Sequence, residues 1–224
     1  MKLAARPRRL LALLVFATPV VAQGGSPSQI RVDFDSLESG QPPARFTLET
    51  AGPGGPAAWS VRDDATAPSG KHVLMQTSAE KMERRFPVCV YDGLLTHNVI
   101  VSVRFKLVSG TIAQAAGLIA RFQDAENYWA LWVDAVSGRV GIDTILDGQP
   151  REVAKAPASI TAGSWHTLKL ALAQQHFQGF LDGERLIEVN DMTLGETGEV
   201  GLWTRADSVT AFDDFTIEES DAGH

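Results

Sequence analysis

The sequence predicts an all-β protein, a β-sandwich of two antiparallel sheets in a single domain. Three observations predict it. From residue 98 onward apolar side chains alternate with polar ones, the period-2 pattern of strands buried on one face. The turn-forming pairs Ser137-Gly138, Asp147-Gly148 and Asp182-Gly183 punctuate these runs, with turns about every 8–12 residues. No amphipathic helical period longer than about two turns is visible. The count comes to about a dozen short strands, the signature of a sandwich.

The chain begins with a basic stretch, residues 1–9, followed by an apolar run to Val21 and the small residues Val20-Val21-Ala22. That is the build of a secretory signal peptide over residues 1–22. Its apolar run is about half of the roughly 20 residues that a bilayer crossing needs. Residues 23–29 read as a polar linker, 30–219 as the sandwich and 220–224 as a tail. Residues 30–34 give the first strand. The Gly/Pro-rich residues 51–56 can hold neither helix nor central strand and form a loop. Residues 58–61, 72–77 and 85–91 are strand-like, and the charged residues 78–85 form a helical turn or a loop. Cys89 is the single cysteine, so no internal disulfide forms, and it reads as a small buried hydrophobe. Strands follow at 98–107, 117–122, 128–134, 139–146, 165–172, 177–181 and 185–189. Residues 191–196 connect to two closing strands, 198–205 and 209–218.

Strand parity assigns faces. With Val101, Val103 and Phe105 in the core, Ser102, Arg104 and Lys106 point outward. Leu118, Ala120 and Phe122 inward leave Arg121 outside; Trp129, Leu131 and Val133 inward leave Tyr128, Trp132 and Asp134 outside. Val200 and Leu202 inward leave Trp203 and Arg205 outside, while Trp59 and Trp165 are assigned to the core. If these strands are neighbours, Arg104, Arg121, Tyr128, Trp132, Asp134, Trp203 and Arg205 form one ligand-binding face. Aromatic rings stack on the apolar faces of sugars, and Arg and Asp hydrogen-bond their hydroxyls, so a glycan or disaccharide is the expected ligand. Asp213 falls in an otherwise apolar row with Val209, Ala211, Phe215 and Ile217; either a bulge turns it outward or it is buried with a partner. A structural calcium is the one metal to consider. Its candidate ligands are Asp33 or Asp35 near the start and Asp213 or Asp214 near the end, where first and last strands meet.

Charge and motifs exclude several classes. The chain carries 20 Lys and Arg against 27 Asp and Glu, a net −7. Residues 1–22 hold four bases (Lys2, Arg6, Arg8 and Arg9) and no acid, so their removal takes the balance to −11. That disfavours nucleic acid and anionic membrane surfaces. No phosphate-binding glycine loop, His-Glu-x-x-His or Gly-x-Ser-x-Gly is present. Nor is there a strand carrying the paired acids of a glycosidase on one face. His166 shares the parity of Leu168 and reads as a cap on the core edge.

The closing pattern Gly198-Glu-Val-Gly-Leu-Trp-Thr204, with Ser208-Val-Thr-Ala-Phe-Asp-Asp-Phe215, resembles the bacterial 3-keto-disaccharide hydrolase-like domain family. Tyr91-Asp-Gly93, the run from Val101 to Gly110, Gln114-Ala-Ala-Gly-Leu118, Glu126-Asn-Tyr128, Gly163-Ser-Trp-His-Thr-Leu168 and Phe180-Leu-Asp-Gly183 extend the resemblance over most of residues 34–217. It implies a concanavalin A-like (laminin G-like) jelly roll, exported to the periplasm or beyond and associated with carbohydrate metabolism. Three functions follow as expectations. The first is a carbohydrate-binding domain without catalysis. The second is a glycoside hydrolase or lyase on modified disaccharides, with Asp134 as general base. The third is a module that binds a protein partner through its Trp and Arg face.

Overall fold

The computed structural model describes residues 29–195 and 197–220; the expected signal peptide and most of the linker and tail lie outside them. Among the described residues there is no helix. The strands run β1 (Gln29–Val32), β2 (Phe46–Ala51), β3 (Trp59–Asp63), β4 (His72–Gln76), β5 (Phe86–Tyr91), β6 (Val99–Ser109), β7 (Ala115–Asp124), β8 (Asn127–Asp134) and β9 (Arg139–Leu146). They continue as β10 (Gln149–Pro157), β11 (Trp165–Ala173), β12 (His176–Leu181), β13 (Glu184–Asn190), β14 (Glu199–Trp203) and β15 (Val209–Glu219). One sheet has the order β13-β12-β11-β6-β15-β4-β3, with β1 also on β15; the other is β10-β9-β8-β7-β14-β5-β2. All pairs are antiparallel. The fold is the all-β sandwich that the periodicity predicts, and it is a jelly roll as the family resemblance implies. Strands β2 and β10 were not among the expected ones; their mixed polar patterns, FTLETA and QPREVAKAP, carry no clean alternation.

The core lies between the sheets. Val101, Val103, Phe105 and Leu107 of β6 and Leu168, Leu170 and Leu172 of β11 face Leu118, Leu131 and Leu202 of the other sheet. Trp129 stacks on Phe177 across the gap, with centroids 4.3 Å apart. Cys89 and Trp59 are buried in this core as expected. Trp165 is not: it lies half-buried on the far side of β11, where its Nε1 donates to Thr66 Oγ1 at 3.1 Å and Lys106 sits over its ring. His166 stacks on Phe105 and meets Asp182 at the sheet end.

A second apolar cluster covers the outer face of the seven-stranded sheet. Val88, Val90, Ala115, Ile119, Tyr128 and Trp203 belong to it. Burial on both faces explains why β5 and β7 read as continuous apolar runs, FPVCVY and AAGLIA, rather than as alternations.

Asp213 resolves in a way that combines both alternatives. Asp214 has φ 50° and the register with β6 slips between Asp213 and Thr216, so a bulge resets the parity. Phe212 and Phe215 both reach the core, and Asp213 is fully buried on the other side. There Ser69 caps it: Asp213 Oδ2 accepts from Ser69 N at 3.0 Å and Oγ at 3.1 Å, and Oδ1 accepts from Asp214 N at 2.7 Å. Burial pushes its carboxyl up to about 6, against these donors and with the nearby Asp214 charge. The folded state therefore holds a proton that the unfolded chain gives up near the ordinary value of 3.8, and stability falls as pH rises from about 4 through about 6. Asp213→Asn is expected to flatten that part of a thermal-stability profile, by an amount on the order of 1–3 kcal/mol. An unchanged slope would show that Asp213 does not carry it.

Candidate functional site

Five strands lay one cross-strand row on the outer face of the seven-stranded sheet: Gly141, Trp132, Gly117, Trp203 and Val88. The two glycines set the geometry of the two indoles. A Cβ on Gly141 would lie 2.3 Å from Cζ2 of Trp132, and a Cβ on Gly117 would lie 2.9 Å from Cε3 of Trp203. Each indole thus leans over the glycine of the adjacent strand, both toward the β10 edge. Phe86 stacks on Trp203 with centroids 5.6 Å apart and planes 18° from parallel. Trp132 stays partly exposed, whereas Trp203 and Phe86 are buried beneath the rim.

These rings border a cleft of about 350 Å³. Asp134, Asp143, Pro150 and Glu152 line its β8–β10 side, and Glu83, Arg84 and Arg205 complete its rim. Asp134 is nearly buried, and its Oδ1 accepts from Gln114 N at 2.9 Å and Val136 N at 3.1 Å, tying β7 to the turn after β8. Arg205 donates from Nε to Glu83 O at 3.1 Å and from Nη2 to Glu83 Oε1 at 3.0 Å, holding the 78–85 segment. Asp143 pairs with Ala130, so it shares the face of Trp132. Burial holds its carboxyl above the usual range, opposed by the Trp132 indole N–H, with Glu152 raising it and Arg205 and Lys155 lowering it.

The structure gathers Trp132, Asp134, Trp203 and Arg205 around this cleft. Tyr128 lies on the same face, but it is fully buried against Phe122, at 5.7 Å, and burial raises its phenol. Two expected members are elsewhere. Arg104 belongs to β6 of the eight-stranded sheet, in register with Thr167 and Asp213, because alternation specifies a face and not a sheet. Arg121 has φ 49° in a bulge that interrupts the β7–β8 register between Ala120 and Asp124. The bulge inverts the local parity: Phe122 joins the outer cluster, and Arg121 lies over Phe177 of the other sheet, with Nη2 donating to Gln174 O. Asp143 and Phe86 were missed. The parity of Gly141, Asp143 and Ile145 against Val140 and Ile142 was the available signal for Asp143. A larger hollow of about 640 Å³ lies beside Arg121, His97 and Leu194, but among the described residues no Trp, Tyr or Phe lines it.

The acidic residues proposed for calcium serve another role. Asp35 Oδ1 accepts from Lys71 N at 2.8 Å and His72 N at 3.0 Å, and these two N–H groups hold its carboxyl below the usual range. Asp213 takes Ser69, and Asp214 pairs with Arg31 at 2.5 Å. Asp35 and Asp213 thus clamp the two ends of one turn, residues 69–72. Among the described residues no three His, Cys, Asp or Glu side chains converge on a metal position. Asp35, Asp213 and Asp214 each accept instead from N–H or O–H donors of the protein. No described helix is long and apolar enough to cross a membrane.

Several solved structures share the fold. The carbohydrate-binding module CBM66 from Bacillus subtilis superposes with a TM-score of 0.61 at 18% identity, covering 77% of this chain and 95% of that one. The cellulose-induced protein Cip1 gives 0.60 at 13%, covering 87% and 99%. The exoplasmic/lumenal domain of VIP36, in its Ca²⁺/mannose-bound form, gives 0.57 at 10%, covering 80% and 85%. At these identities the likeness shows the fold alone. No curated protein matches the chain. The family model of the galactocerebrosidase C-terminal lectin domain matches residues 56–220, from just before β3 to the end of β15. With a match over well more than half of its length, the chain belongs to the galactocerebrosidase C-terminal lectin domain family.

Proposed function

We propose that this protein is an exported, single-domain carbohydrate-binding protein that holds a sugar in the cleft beside Trp132. The observation that carries the reading is the Trp132 indole laid over Gly141, partly open to solvent, in a cleft edged by carboxylates and guanidiniums. A flat ring there offers a stacking surface for the apolar face of a sugar, and the rim supplies donors and acceptors for its hydroxyls. Membership of a lectin-domain family supports the same reading. The test is a tryptophan-fluorescence titration of residues 23–224 against disaccharides and polysaccharides, with and without calcium. A saturable, sugar-specific shift that calcium leaves unchanged is expected. A flat response across the panel would overturn the reading.

One observation favours a second reading, cleavage of modified (3-keto) disaccharides in the same cleft. Asp143 is a carboxyl that burial shifts above the usual carboxylate range, in a cleft it shares with two further acids, Asp134 and Glu152. Such a group suits a general acid. Asp134, the base expected from sequence, is engaged by two backbone N–H groups. Product release from a 3-keto-disaccharide that is lost in Asp143→Asn would establish this chemistry. No turnover by the wild type would dismiss it.

A further inference from the structure

We propose that residues 78–85 form a strap that closes the cleft, so that the site takes the end of a glycan and excludes the interior of a polysaccharide chain. The proposal rests on the sugar-binding reading above and concerns how that site selects its ligand. Arg84 lies two residues before Phe86 of β5, yet its Nη2 donates to Gln149 Oε1 at the start of β10. In the sheet order, β5 and β10 stand five places apart. At about 4.8 Å per strand that separation is about 24 Å along a flat sheet, far beyond the reach of an arginine side chain. The contact forms because the sheet curls and the strap leans over its outer face. The strap and the β9–β10 hairpin thereby meet in front of the aromatic floor.

The root of the strap is built to stay in place. Arg85 is fully buried, and its Nη2 donates to Gly55 O at 3.1 Å and Pro56 O at 3.2 Å. Gly55 N donates to Glu80 Oε2 at 3.0 Å, and Ala206 N to Arg85 O at 2.8 Å. Arg205 grips Glu83 from the side, as described. The crossing itself depends on the exposed Arg84–Gln149 bond. A linear polysaccharide bound along its length needs a groove open at both ends. This cleft is barred, and its roughly 350 Å³ lies at the small end of ligand sites, of the order of 300–1,000 Å³. That suits one or two terminal sugar rings.

The test is isothermal titration calorimetry of wild type, Arg84→Ala and Gln149→Ala with gluco- and galacto-oligosaccharides graded from two to eight sugars. Both substitutions remove an exposed side chain at the crossing and leave the Arg85 anchor intact. In wild type, one protein per chain at every length is expected, with affinity level beyond two sugars. In both variants the long chains are expected to bind more than one protein, with affinity rising severalfold with length. Several wild-type molecules on a long chain would overturn end recognition. One protein per chain in wild type and both variants would overturn the role of the strap. Absence of heat with every sugar and every protein would overturn the sugar-binding reading itself.

Discussion

Trp132→Ala is expected to weaken sugar binding at least tenfold while leaving the fold intact. A tenfold loss is about 1.4 kcal/mol, and a central aromatic contact commonly carries more, on the order of 2 kcal/mol. The fold should survive because Trp132 is partly exposed and lies on the outer face, away from the inter-sheet core. Gly141→Ala makes the sharper experiment. Its methyl would occupy the space of the Trp132 ring, 2.3 Å from Cζ2, so the indole must lift from the sheet. The ring is the far end of a side chain and can move, so the protein folds with every binding group present but with the platform tilted. A loss similar to that of Trp132→Ala, at unchanged melting temperature, is expected by calorimetry and thermal melts. Affinity unaffected by both substitutions would remove the platform.

Asp207→Ala is expected to produce the largest loss of stability, about 3 kcal/mol or more at neutral pH. Asp207 sits in the link between β14 and β15 and is nearly buried. Its Oδ2 accepts from Thr111 N at 2.8 Å and Thr111 Oγ1 at 2.7 Å, and its Oδ1 from Ile112 N at 2.9 Å and Ala113 N at 3.1 Å. Removing the carboxylate takes the partner from three N–H groups and a hydroxyl in the segment that leads into β7. The Ala113 N–H is buried and costs about 1–3 kcal/mol when left without a partner, and the part-buried bonds of Thr111 and Ile112 add about 0.5–1.5 kcal/mol each. Burial alone would raise this carboxyl, but the bonds from Thr111, Ala113 and Ile112 outweigh it and bring it down to about 2. The sign follows: the unfolded chain binds its proton first, so the stabilisation is present above about 4 and is lost as pH falls through about 2. A domain of this size should melt roughly 10 °C lower at pH 7 in the variant. The gap between variant and wild type should narrow toward pH 2. Equal melting temperatures at pH 7 would show that the clamp is not needed. The acid slope from Asp207 runs opposite to the one from Asp213, so the two can be separated by pH.

What the sequence determined by itself is what a single strand determines by itself. Period-2 alternation is local, so the faces of β6 and β8 were readable without neighbours: Val101, Val103 and Phe105 inward, and Trp132 and Asp134 together on the opposite side of β8 from Trp129. The turn pairs and the absence of helical periodicity likewise indicated a sandwich. Tertiary structure decided everything that depends on which strands meet. Arg104 has the right parity but the wrong sheet, since β6 hydrogen-bonds to β11 and β15 and not to β8. Bulges at Arg121 and Asp214 inverted parity inside runs that look regular in sequence, because a positive φ on an ordinary residue leaves no compositional mark. Phe86, Asp143 and Arg84 reach one cleft from segments up to four places apart in the sheet, and only the curl of the sheet brings them together. Local periodicity assigns a side chain to a face; the hydrogen-bonded order and curvature of the sheet decide its partners.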